Sequence, residues 1–164
     1  IGLMEDNEVI AGVVHEAGGT ETFTAWKDGG AWLNGKRIHV SGTDTLSGSL
    51  VATGFPYNLF DRLEPYMALL TNLVKRTHGV RRLGSASIDL AYVACGRFDL
   101  FFEYDLKIWD IAAGMLLVRE AGGKFSDFSG NTKGLTGNET LASNALVYKE
   151  ILEMTRSFMK PEEK

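Results

Sequence analysis

The chain has a single cysteine in 164 residues, so no disulfide can close within it. Cys95 falls in an apolar helical stretch and reads as a small buried hydrophobe. Basic residues are not in excess: 17 Lys and Arg face 21 Asp and Glu, a net charge of −4, and no nucleic-acid partner is expected. No apolar run approaches the roughly 20 residues that cross a bilayer, so no membrane association is expected. No charged-then-apolar leader with a cleavage site is visible, which makes the cytoplasm the expected compartment. Phosphate-binding loop, dinucleotide fingerprint and Gly-x-Ser-x-Gly elbow are all missing. His15, His39 and His78 fall on three different elements and share no ligand spacing.

What is present is enough apolar material, 45% of residues, for a core of one domain or parts of two. The stretch from Gly96 to Gly123 organises the rest. Phe98, Leu100, Phe101 and Phe102 predict a buried strand, followed by Glu103, Asp105 and Asp110 around a short connection. Beyond Asp110, Ile111, Ala112, Met115, Leu116 and Val118 recur at helical spacing. Gly122 and Gly123 should end that helix at Ala121 by supplying a left-handed cap. By position alone Asp110 reads either as the helix N-cap or as a ligand-binding acid.

Before this stretch, residues 1–40 carry turn signals at Glu5-Asp6-Asn7-Glu8, Asp28-Gly29-Gly30 and Asn34-Gly35, and predict an antiparallel meander. Thr22, Thr24 and Trp26 alternate with Phe23 and Ala25. Ser41–Ser49 is a polar connector, Leu50–Thr53 a short strand, and Arg62–Lys75 a helix with Leu63, Met67, Leu70 and Val74 as its apolar stripe. His78-Gly79 should close it. A strand at Val80–Leu83 leads to Gly84-Ser85-Ala86-Ser87, which opens a helix and serves either as a cap or as a contact for hydroxyls or anions. Strands at Lys124–Asp127 and Leu141–Asn144, a helix over Leu146–Met159 and a frayed charged tail at 161–164 complete the expectation.

Two segments carry a resemblance. Trp109-Asp110-Ile111-Ala112-Ala113-Gly114, followed by Glu120-Ala121-Gly122-Gly123 and preceded by Glu103, resembles the C-terminal signature of the inositol monophosphatase family in its bacterial form. Arg81-Arg82-Leu83-Gly84-Ser85-Ala86 and Gly30-Ala31-Trp32-Leu33-Asn34-Gly35-Lys36-Arg37-Ile38 are similar to other parts of that family. The resemblance implies an α+β fold, a layered αβαβα sandwich of the sugar-phosphatase type, incomplete at its N-terminus. Residues 1–44 would complete an N-terminal subdomain of antiparallel strands, and 45–164 would form a C-terminal α/β subdomain.

The implied activity is Mg2+-dependent hydrolysis of myo-inositol monophosphate or a similar polyol phosphate, a small-molecule monoester, by a homodimer that lithium inhibits. Asp110 would be a metal ligand, Glu103 would contact a substrate hydroxyl, and Gly84, Ser85 and Ala86 would line the substrate pocket. The family's other metal ligands come from a Glu-Glu pair and an Asp-Pro-x-Asp-Gly-Thr motif, and neither occurs here. The chain, which begins at Ile1, is therefore expected to be the later two-thirds of a longer protein and to be inactive alone. Competing expectations are a fructose-bisphosphatase or 3′-nucleotidase type of activity, or a truncated non-catalytic dimerising module.

Overall fold

Two-residue turns set the register of the first sheet. Asp6 and Asn7 (φ 48° and 62°) and Asn34 and Gly35 (φ 48° and 77°) all take the left-handed conformation that tight hairpins demand. In the computed structural model, which describes residues 1–58, 60–134 and 136–159, these turns join the strands of a meander. Its order is β1 (Gly2–Glu5), β2 (Glu8–His15), β3 (Thr22–Trp26), β4 (Gly30–Leu33) and β5 (Lys36–Ile38), antiparallel throughout. Phe23 and Ala25 point into the core, while Trp26 stacks on Trp32 at 5.9 Å on the opposite face. The charged tail at 161–164 lies outside the described residues.

The second sheet runs β7-β6-β8-β10-β9. Its strands are β6 (Leu50–Thr53), β7 (Gly79–Arg81), β8 (Leu100–Tyr104), β9 (Lys124–Ser126) and β10 (Glu139–Ser143). Strand β6 pairs in parallel with β7 and β8, and β10 pairs antiparallel with β8 and β9. The central strand β8 is buried on both faces, as its unbroken apolar run requires. Phe101 faces one core and Leu100 and Phe102 the other.

Helices α2 (Ala86–Ala94) and α3 (Ile108–Glu120) fill the space between the two sheets, and α1 (Leu63–Arg76) and α4 (Tyr148–Phe158) cover the far face of the second. The described residues thus stack as sheet, helices, sheet, helices. Small residues make the inner helix layer possible. A Cβ on Gly114 would stand 2.5 Å from Leu90 Cβ, and one on Gly12 would stand 3.0 Å from Ala113 Cα. Helix α3 therefore lies against both α2 and β2 at near-contact of the backbones, and a larger side chain at Gly114 would overpack the layer at a cost of about 1–3 kcal/mol.

Both inner helices end in glycine caps, the second of them as predicted. Gly96 (φ 76°) and Gly122 (φ 89°) sit just past α2 and α3. Arg97 N donates to Tyr92 O and Gly96 N to Val93 O; Gly123 N donates to Val118 O and Gly122 N to Arg119 O. These paired bonds satisfy carbonyls that the helix leaves open.

Four local expectations are corrected. The buried stripe of α1 is Tyr66, Leu69 and Leu73, whereas Met67 and Val74 are exposed. Tyr66 decides the facing, because its hydroxyl is buried and bonds Thr53 Oγ1 (2.6 Å) and Gly54 O (2.9 Å) under the second sheet's edge. That helix is closed by Thr77, whose N and Oγ1 both donate to Leu73 O, while Gly79 already belongs to β7. Helix α4 begins at Tyr148, because Asn144 Oδ1 accepts from Leu146 N and Val147 N and holds both outside the helix. Cys95 is only partly buried, since it is the residue after the last turn of α2.

Candidate active site

The strands β6 and β8 run in parallel and finish side by side, and the helices α2 and α3 start at that same edge. The crevice outside the carboxyl ends of parallel strands is where such sheets bind ligands. Here it is a cavity of about 210 Å³ lined by Gly54, Tyr57, Arg82, Gly84, Ser85, Ala86, Ser87, Asp89, Glu103, Leu106 and Asp110. All five residues singled out from the sequence, Glu103, Gly84, Ser85, Ala86 and Asp110, line this one cavity.

Glu103 lies near the end of β8 and is 6% exposed. It rests on bare backbone: a Cβ at Gly54 would fall 2.2 Å from Glu103 Oε1. Gly54 is itself pinned from below, because its carbonyl accepts the Tyr66 hydroxyl. Burial pushes the Tyr66 phenol well above its ordinary range, so that group remains a neutral donor.

Asp110 is half-buried and lies inside α3, not at its cap. The helix begins three residues earlier than expected, at Ile108, with Lys107 in the capping position. Since a lysine side chain offers no acceptor, Asp110 reaches back from the third helical position, and its Oδ2 accepts Lys107 N at 2.9 Å. Trp109, beside it, is 77% exposed. Ser85 occupies the N-cap of α2 in extended conformation but makes no side-chain cap bond. Its hydroxyl stands 3.3 Å from Ser87 Oγ, so the cap explanation of Ser85 does not hold.

Two neighbouring acids are tied up by protein contacts. Asp99 accepts Ser41 Oγ and Leu50 N, both at 2.5 Å, and Asp105, at φ 66°, pairs with Lys107 at 3.1 Å.

Sequence reasoning missed Asp89, which α2 buries to 1% exposure at the cavity wall. The available signal was one acid in the otherwise apolar run Ile88, Leu90, Ala91, one helical turn past Ser85-Ala86. Burial pushes its carboxyl up to about 7, against the pull of the Arg82 guanidinium. Burial likewise pushes Glu103 up to about 8; the charges of Asp89 and, more weakly, Asp110 add to the rise, and Arg82 opposes it. No donor among the described residues reaches the Glu103 carboxylate. Arg82 stands at the exposed rim, its Cζ 5.4 Å from the Phe55 ring centroid.

A larger cavity, about 850 Å³, opens beside Arg62 and the loop around Asn131. Its guanidinium is already spent on Glu139 (2.5 Å) and Met159 O (3.0 Å), and none of the acids just described lines it. The smaller cavity is the one with uncommitted acids.

Fold and site together define a layered α+β sandwich of the sugar-phosphatase type. The family model described as "Inositol monophosphatase family" matches residues 1–159. The chain is 47% identical over 143 residues to the Nus factor SuhB of Pseudomonas aeruginosa, covering 86% of this chain and 53% of that protein. It is 40% identical over 154 residues to the inositol-1-monophosphatase of Rhizobium meliloti, covering 94% and 58%. Among solved structures, the extragenic suppressor protein SuhB of Bartonella henselae aligns with a TM-score of 0.89 at 36% identity, over 94% of this chain and 59% of the other. The inositol monophosphatase of Anabaena aligns at 0.88 and 36%, over 96% and 62%. The chain belongs to the inositol monophosphatase family, and it spans between half and two-thirds of the length of these relatives.

Proposed function

We propose that this chain supplies the substrate-recognition wall and one metal-binding carboxylate of a magnesium-dependent phosphatase acting on myo-inositol monophosphate or a similar polyol phosphate. The observation that carries the reading is the convergence of Glu103, the Gly84-Ser85-Ala86 turn and Asp110 on one small cavity. The N-termini of α2 and α3 open onto it, and their free N–H groups and positive dipole ends favour an anionic group there. Glu103 accepts a hydroxyl of the alcohol portion, and the Gly84 turn (φ 87°) brings the backbone close to the ligand.

The described residues do not by themselves fit a magnesium ion. They hold no group of three His, Cys, Asp or Glu side chains placed to take a metal, and a hard, strongly hydrated cation needs several oxygens. Asp110 is proposed as one ligand, with the further carboxylates supplied from outside this chain. What these residues do alone is bind and orient the ester.

Relatives carry two names, inositol-1-monophosphatase and Nus factor SuhB. The pocket acids, not the names, favour hydrolysis here. A homodimer in the cytoplasm is part of the proposal, as is the division of the chain into 1–44 and 45–164. Among the described residues no helix is long and apolar enough to cross a membrane.

The test is phosphate release from a panel of inositol, fructose-bisphosphate and nucleotide 3′-phosphate esters. It compares residues 1–164 with a protein that joins them to the Glu-Glu and Asp-Pro-x-Asp-Gly-Thr segments. Magnesium-dependent turnover of the inositol ester is expected from the longer protein alone. Turnover by residues 1–164 alone, or preference for another ester, contradicts it.

A further inference from the structure

Helix α2 carries one acidic side chain, Asp89, among Ile88, Leu90, Ala91, Val93 and Ala94. Its Oδ1 is buried with no hydrogen-bond partner among the described residues. Leaving such an acceptor dry costs about 1–3 kcal/mol, and protein interiors ordinarily remove the cost by bringing up a donor. Here α2 is held in place by the contact of Leu90 with Gly114, and none of the described residues brings up a donor. Arg82, the cation that acts on Asp89, is exposed at the rim. Asp89 thus lines the cavity with an acceptor that the described residues leave unfilled.

The surroundings decide what kind of donor fits. Asp89, Glu103 and Asp110 are not arranged as a three-ligand metal group. A cationic ligand would meet Arg82 at the mouth and the positive ends of two helices inside. A neutral hydroxyl faces neither objection, and it donates equally to an ionised carboxylate or to the carbonyl oxygen of a protonated one. At about 210 Å³ the cavity has room for about seven waters, hence for one small polyol.

We propose that Asp89 is a second hydroxyl acceptor, working beside Glu103 to select phosphate esters whose alcohol carries at least two further free hydroxyls. This role rests on the reading of the site as a polyol-phosphate pocket. Asp89 is a specificity-determining residue and takes no part in breaking the phosphate ester.

The experiment uses a full-length protein containing this chain, with magnesium, as wild type, Asp89→Asn and Asp89→Ala. KM and kcat are measured for myo-inositol 1-phosphate and for p-nitrophenyl phosphate, which has no free hydroxyl on its alcohol portion. In Asp89→Ala the KM for the inositol ester should rise about tenfold more than the KM for the aryl ester, with a smaller excess in Asp89→Asn, which keeps one acceptor oxygen. The melting temperature of Asp89→Asn should stay level or rise, because the uncompensated carboxylate is gone. If Asp89→Ala does not fold, the excess in Asp89→Asn alone decides.

A wild type that prefers the inositol ester, with variants that keep this preference in full, overturns the Asp89 role alone. Equal losses on both esters with a fallen melting temperature make Asp89 structural and overturn it too. A wild type with no preference for the inositol ester defeats the polyol reading of the site, and this role with it.

Discussion

Helix α3 carries Asp110 in its first turn and Glu120 as its last residue, and the backbone treats the two acids differently. Glu120 is fully engaged: Oε1 accepts Asp28 N at 2.9 Å and Oε2 accepts Gly30 N at 2.8 Å, tying the β3–β4 turn to the helix. Asp110 spends Oδ2 on its own helix start and faces the cavity. Across that cavity, Asp89 and Glu103 lie buried with still fewer partners. Both ends of one family signature thus contain an acid, but only one end leaves acids uncommitted. Counting the donors that reach each carboxylate separates a structural acid from a ligand-binding one where residue type does not.

The contrast breaks first at Asp110. In a full-length protein, Asp110→Asn should lower turnover about a hundredfold or more while the melting temperature moves little, since the amide oxygen still accepts Lys107 N. Near-normal turnover and magnesium dependence in steady-state assays would make the residue a helix-start brace and nothing more.

Glu120→Ala should do the reverse. Loss of two bonds to a charged acceptor should cost about 1–3 kcal/mol in urea unfolding, with kcat close to wild type, because Glu120 does not line the cavity. A large fall in kcat at unchanged stability would erase the distinction between the two ends.

Within the pocket, Glu103→Gln should act on recognition of the alcohol. KM for the inositol ester should rise about tenfold, and more than for esters without free hydroxyls. Equal effects on every ester would deny it a recognition role.

The smallest effect expected is on stability against pH. Asp89 and Glu103 have folded values raised to about 7 and about 8 from ordinary values of 3.8 and 4.5, so the folded protein holds protons that the unfolded chain has released. Their contribution favours folding at low pH and is lost as pH rises from about 4 through about 8. Metal-free protein should therefore gain stability at pH 7–8 when Glu103 becomes Gln, and the gain should shrink toward pH 5. A variant less stable than wild type at pH 8 would show that the carboxylate is paired.

How far the sequence was legible follows the same division. Turns were readable because Asp6-Asn7, Asn34-Gly35, Gly96 and Gly122 occupy positive-φ positions that few residues tolerate. The strand β8 was readable from its unbroken apolar run. The stripe of α1 was misjudged because Tyr66 counts as half-polar on any scale, although its hydroxyl is satisfied inside the core. Asp89 was invisible for a related reason. Whether a lone acid in an apolar helix turns toward solvent or toward a cavity depends on what the helix packs against, here the Gly114 notch of α3. Glu120 was visible as part of the signature, but its partners lie 92 and 90 residues away.

Asp89 and Glu103 stand buried, and among the described residues no donor reaches Asp89 Oδ1 or the Glu103 carboxylate. Carboxyl-selective 13C NMR titration of the metal-free protein tests it most directly, with Asp89→Asn and Glu103→Gln assigning the signals. The two carboxyls are expected to titrate as a pair, in steps near 7 and 8. Two midpoints in the ordinary carboxylate range, below about 5, would contradict it.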